Sequence, residues 1–231
     1  MTSLLAQHLI VLVLALTGLA EREAEQAKAR DDLRPVAVRV ERGRREGLFG
    51  GAPIALPARP PVAAGTPTDG RLVRGIRIPA EGPLFFTWDD VLQRKPNRSW
   101  RRYGTARLLA TIDRVLAAYH RRNPDAPRVA IGDLSRPRGG DFGPRFGGLG
   151  HASHQNGLDV DIYYPRRDRR ELAPKRPSQI DRRLAQELVD LFAAEEGVQY
   201  VFVGPRTGLR GPRGIVQQLV HHDDHLHVRV R

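Results

Sequence analysis

Two short runs restrict the fold of this 231-residue chain more than any other feature. LDVDI (158–162) and HLHVRV (225–230) alternate apolar and polar residues, which is the period of a half-buried strand. Residues two apart on a strand share a face. Asp159 and Asp161 therefore project together, as do His225 and His227. If the two strands pair, a carboxylate pair and an imidazole pair converge on one patch. The histidines are also bunched: six of the eight fall in two clusters, His151 with His154 and then His221, His222, His225 and His227. A lone buried histidine is ordinarily a packing residue. Clusters of histidine mixed with aspartate suggest a metal site.

The chain has no cysteine, which excludes a disulfide framework and any thiolate zinc site. A metal here must sit on His, Asp or Glu. His154 precedes its strand, and Asn156-Gly157 is a turn signal that can fold the imidazole back over Asp161. Two imidazoles and one carboxylate leave a tetrahedral zinc with one open position, the arrangement of a catalytic rather than a structural site. Asp223 and Asp224 lie inside the second cluster and read equally as orienting partners for imidazole N–H groups or as a solvated turn. Arg136, in GDLSRPRGG, reads as a surface arginine in preference to a fork for a substrate carboxylate.

The remaining pattern is α+β, with a small antiparallel sheet carrying the metal site and helices flanking it. Leu108, Leu109, Ile112, Val115, Leu116 and Tyr119 follow helical spacing over 103–122. Ile180, Leu184, Leu188, Leu191 and Phe192 mark a second helix, with Ser178 and Asp181 at capping-box spacing. Strands are expected at 36–40, 129–131, 158–164, 198–203 and 226–230, and 135–150 reads as a Gly- and Arg-rich loop. The apolar run at 9–16 makes residues 1–20 an export signal or N-terminal anchor, although no Lys or Arg precedes it. It is short for a membrane span. Residues 21–70 read as a Pro/Gly-rich linker or poorly ordered preamble, and 71–231 as the functional domain.

GHASHQNGLDVDI (150–162) followed by HDDHLHVR (222–229) resembles the penicillin-insensitive murein endopeptidases, within a wider group of zinc peptidases that includes lysostaphin-like enzymes and D-alanyl-D-alanine carboxypeptidases. The group's His-x6-Asp element corresponds to His154 and Asp161, and its His-x-His element to His225 and His227. The resemblance implies zinc held by His154, Asp161 and His227, with His151 either a further ligand or a substrate-facing group. It makes His225 the catalytic imidazole, with His222 assisting, and Asp159 a support behind the ligands. The implied activity is hydrolysis of peptidoglycan cross-links, D-alanyl to diamino-acid amides, outside the membrane in the periplasm or wall. A D,D-carboxypeptidase or dipeptidase acting on D-Ala-D-Ala termini is the alternative within the enzyme class. A non-catalytic, zinc-stabilised wall-binding module is the alternative outside it.

Zinc lowers the pKa of bound water to about 7, so an amide can be attacked at neutral pH. No HExxH helix is present to supply the glutamate base of another zinc peptidase class. The formal charge is +12, from 38 Lys and Arg against 26 Asp and Glu. Such a surface favours an anionic wall polymer and the carboxylates of peptide stems. Nucleic acid is not the expected partner, because the arginines are dispersed and aromatics make up only 6% of the chain. Membrane contact is expected only through the N-terminal segment, if it is retained.

Overall fold

The computed structural model describes residues 57–143 and 152–231. The expected signal, the strand at 36–40 and His151 lie outside the described residues. Among the described residues no helix is long and apolar enough to cross a membrane.

The two alternating runs form adjacent strands. β8 (Asp159–Tyr163) and β11 (His225–Val230) pair antiparallel, with His227 opposite Asp161 and His225 opposite Tyr163. Around them lie β4 (Glu81–Gly82), β5 (Phe85–Thr87), β7 (Val129–Ile131), β9 (Val198–Val203) and β10 (Val216–Gln218). These seven strands make one sheet in the order β10-β9-β11-β8-β7-β5-β4. The sheet is neither small nor wholly antiparallel: β10 with β9 and β5 with β7 run parallel. The difference has a simple origin. FFT in β5 and VQQ in β10 are three-residue pieces, too short to carry a period of two.

A hairpin of β1 (Val62–Gly65) and β2 (Gly70–Val73) occupies part of what reads as loop in the sequence. β3 (Ile76–Arg77) pairs with β6 (Tyr103–Gly104), so the helix expected from 103 begins three residues later. That helix, α1 (Ala106–Arg122), is capped by Thr105, whose Oγ1 accepts the N–H of Leu108 at 3.2 Å. His120, Arg121 and Arg122 fill its last turn, where positive charge suits the helix dipole. The second helix, α2 (Arg182–Ala194), is capped by Asp181 itself, which accepts the N–H of Leu184 at 3.1 Å. Ser178 lies in the preceding 3-10 turn, so the capping-box reading was one element out of place.

Both helices cover the same side of the sheet. Leu108, Leu116, Leu188 and Phe192 pack in one cluster with Val160 and Ile162 of β8 and with Leu226, Val228 and Val230 of β11. Alternation sends Asp159, Asp161, His225, His227 and Arg229 to the opposite side. The apolar half of each run anchors the sheet on the helices, and the polar half is left to build a site.

Candidate metal centre

His154 enters this face from a left-handed turn. Its φ is +69°, unusual for a residue with a side chain, and Gly157 follows at +78°. A Cβ on Gly157 would stand 2.8 Å from Leu72, so the turn requires glycine on both counts. The strain at His154 is held by Asp159, whose Oδ2 accepts the His154 backbone N–H at 3.0 Å. Arg229 clamps the same carboxylate from the other side, with Nε at 2.8 Å and Nη2 at 3.1 Å.

The turn delivers His154 Nε2 to 3.3 Å from Asp161 Oδ1, and β11 delivers His227 Nδ1 to 3.0 Å from the same oxygen. One potential ligand atom from each of the three residues lies within 4.8 Å of the others, and all three are buried. A tetrahedral ion with bonds of about 2.0–2.1 Å places its donors roughly 3.3 Å apart, so the spacing fits. The donor set fits as well: two imidazoles and one carboxylate leave a fourth position for water or substrate. Nε2 of His227 makes no hydrogen bond among the described residues but lies 3.4 Å from Asp159 Oδ1, where a carboxylate would orient a ligating imidazole from behind.

His225 stands beside this group, with Nε2 3.7 Å from Asp161 Oδ1. Its Nδ1 is 2.7 Å from Asp224 Oδ1. The two acidic residues of the second cluster thus divide. Asp224 orients His225, whereas Asp223 accepts the Arg206 N–H at 3.0 Å and its Nε at 2.5 Å as part of a turn. His222 lies 4.8 Å from His225 between ring centroids and sets its Nδ1 2.8 Å from the Val220 carbonyl, which leaves Nε2 as the ring's other working atom. Arg136 bonds the Asp141 carbonyl at 2.6 Å and does not line the cleft.

Charge follows this geometry. Burial alone would raise the Asp161 carboxyl, but the imidazoles of His154 and His225 overcome that and hold it well below the usual carboxylate range. Burial pulls His227 down, and Asp159 and Asp161 together outweigh it, leaving the ring at about 9 in the metal-free protein. His225 is also raised, with Asp161 and Asp224 prevailing over burial. His222 goes the other way, to about 4, through burial and the neighbouring His225. The face therefore holds one imidazole that stays neutral next to one that readily takes a proton.

These groups share a cleft of about 640 Å³. Tyr163, Phe202, Asp224 and Arg229 line it too, as does the pair Arg101 and Asp133. Arg229 could have been found from HLHVRV, since it continues the same face as His225 and His227. Arg101 and Asp133 carry no such pattern.

An α+β protein with a His–Asp–His group able to hold a metal ion, set in a cleft on the face of its sheet opposite α1 and α2, is the class that fold and site define. The chain belongs to the penicillin-insensitive murein endopeptidase family, whose sequence profile matches residues 63–206. That span includes His154 and Asp161, and His225 and His227 join them through the β8–β11 pairing. The penicillin-insensitive murein endopeptidase of Yersinia pseudotuberculosis serotype I (strain IP32953) is 31% identical over 196 residues, covering 74% of this chain and 68% of the relative. That of Pectobacterium atrosepticum is 31% identical over 198 residues (73% and 66%), and that of Klebsiella pneumoniae (strain 342) 29% over 201 (74% and 68%).

Proposed function

We propose that this protein is an exported zinc peptidase that hydrolyses peptide cross-links of peptidoglycan, at the amide between D-alanine and a diamino acid. The observation that carries the reading is the buried His154–Asp161–His227 group, with His225 beside it, in a chain of this family. His154 Nε2, Asp161 and His227 Nδ1 would hold the ion, and His151 belongs to the same proposal as a further ligand or substrate contact. Bound zinc would supply an acidified water and polarise the scissile carbonyl.

The chain's own residues do the rest. Asp159 and Arg229 keep His154 and His227 in place. Asp224 fixes the His225 ring so that Nε2 faces the ligand group, where it can exchange a proton with the attacking water or the departing amine. His222 keeps a neutral ring against His225 and is free to accept a hydrogen bond through Nε2. Tyr163, buried on the same face, has its phenol pushed well above its usual value by burial and by nearby carboxylates, and stays a neutral donor.

The test takes the purified protein and intact peptidoglycan, with and without a chelator, and identifies released fragments by mass spectrometry. Chelator-sensitive conversion of cross-linked dimers to monomers is expected. Release of free D-alanine instead would transfer the chain to the carboxypeptidase reading. No cleavage despite stoichiometric zinc would leave a wall-binding module and sink the hydrolase.

A further inference from the structure

The cleft wall contains an arginine that the chemistry above does not use. Arg101 ends a 3-10 turn (Ser99–Arg101) and is 2% exposed. Its Nε donates to Asp133 Oδ1 at 2.7 Å, and its Nη2 donates to Asp133 Oδ2. Asn97 Nδ2 adds a donor to Oδ1 at 2.9 Å. One edge of the guanidinium is therefore fixed. The remaining nitrogen, Nη1, is buried and has no hydrogen-bond partner among the described residues. A donor left in that state carries a desolvation penalty that an incoming acceptor removes.

Its position ties it to the metal centre. Arg101 and Asp133 line the same cleft as His154, Asp161 and His227. The Asp133 carbonyl accepts the backbone N–H of Asp161 at 2.9 Å. Arg101 Cζ lies 5.2 Å from the Phe142 ring, which in turn lies 6.1 Å from the His154 ring.

We propose that Arg101 is a specificity-determining residue: its free Nη1 edge receives a substrate carboxylate carried by the residue that donates the scissile nitrogen. This rests on the peptidoglycan reading for the choice of substrate. Where the diamino acid of the D-alanyl cross-link is a diamino dicarboxylic acid, the carbon bearing the scissile nitrogen also bears a free carboxylate. An internal residue of an ordinary protein carries no such group, so this contact separates wall peptide from protein. Asp133 keeps the guanidinium oriented while its free edge engages, the preorganised fork that suits a carboxylate. The half-buried Trp100 ring, 5.2 Å from Cζ, is the cover that gives way as the carboxylate enters.

The experiment uses the zinc-loaded protein and two uncleavable peptides in which a methylene-amine replaces the scissile amide. One has a free carboxylate on the nitrogen-donating residue, and the other has a carboxamide there. Calorimetry on the wild type should give binding about ten- to hundredfold tighter for the acid. In Arg101→Gln/Asp133→Asn, which removes both charges together and leaves polar side chains in their place, that preference should vanish while zinc stoichiometry is retained. Equal binding of acid and amide by the wild type, or an undiminished preference in a folded variant, overturns the proposal. Failure of the free-acid peptide to bind at millimolar concentration overturns it as well. Acid-selective binding by a protein that does not cleave peptidoglycan would refute the hydrolase reading and leave the Arg101 site standing.

Discussion

Replacing Asp159 by alanine removes a carboxylate that three parts of the site share. It accepts the His154 backbone N–H at 3.0 Å and two arginine N–H groups of Arg229, at 2.8 and 3.1 Å, and it sits 3.4 Å behind His227 Nε2. The residue is fully buried. Loss of the buried acceptor for His154 costs about 1–3 kcal/mol. Breaking a buried ion pair costs about 3–5 kcal/mol, and the Arg229 side chain, 18% exposed, recovers part of that from solvent. A total of about 3–6 kcal/mol is expected. At roughly 2–4 °C per kcal/mol for a domain of this size, Tm falls by about 6–24 °C. Without the carboxylate behind His227, metal affinity should also drop about 10–100-fold. Thermal unfolding of the chelated protein reads the first effect, and competition against a zinc indicator reads the second. A Tm within 3 °C of wild type, together with unchanged affinity, would refute the reasoning.

Asp161→Ala should leave a folded domain that no longer holds zinc stoichiometrically, and elemental analysis of the dialysed protein decides it. His225→Ala should keep its zinc but lose about 10²–10⁴-fold in cleavage of purified cross-linked dimers; near-normal turnover would remove His225 from the chemistry. For the metal-free protein, His227 is held at about 9 when folded, above its ordinary value near 6.5. The stabilisation it provides is complete below pH 6.5 and disappears as pH rises through 9, a loss of about 3 kcal/mol visible as a falling Tm. Zinc needs the same ring nitrogen deprotonated, so affinity should climb over that window; a flat profile from pH 6.5 to 9 would contradict the Asp159–Asp161–His227 arrangement.

Much of this site could be read from two runs of five or six residues, because strand geometry converts position into direction. LDVDI and HLHVRV assign the face of each polar residue, and the β8–β11 register then brings His227 opposite Asp161. Asn156-Gly157 announced the turn that returns His154, although its dependence on Leu72 is a tertiary fact. Asp223 and Asp224 could not be told apart, since their difference lies in Arg206, 17 positions upstream of Asp223. Arg101, Asp133 and Asn97 were invisible because no local period links them, only a side-chain network over 32 to 36 positions. The sheet was underestimated for a related reason: its outer strands are two or three residues long and owe their conformation to neighbours rather than to their own pattern.

The place of β11 has a kinetic consequence. It lies between β9 and β8, in the interior of the sheet, and Asp161 and His227 are 66 positions apart in the chain. Every nascent or partly folded form in which β11 has not docked has two open strand edges and no metal-competent group. If the proposed ion is bound, its three-residue group is complete only once β11 has closed the sheet. Separating His227 from Asp161 likewise means opening the middle of the sheet rather than fraying its rim.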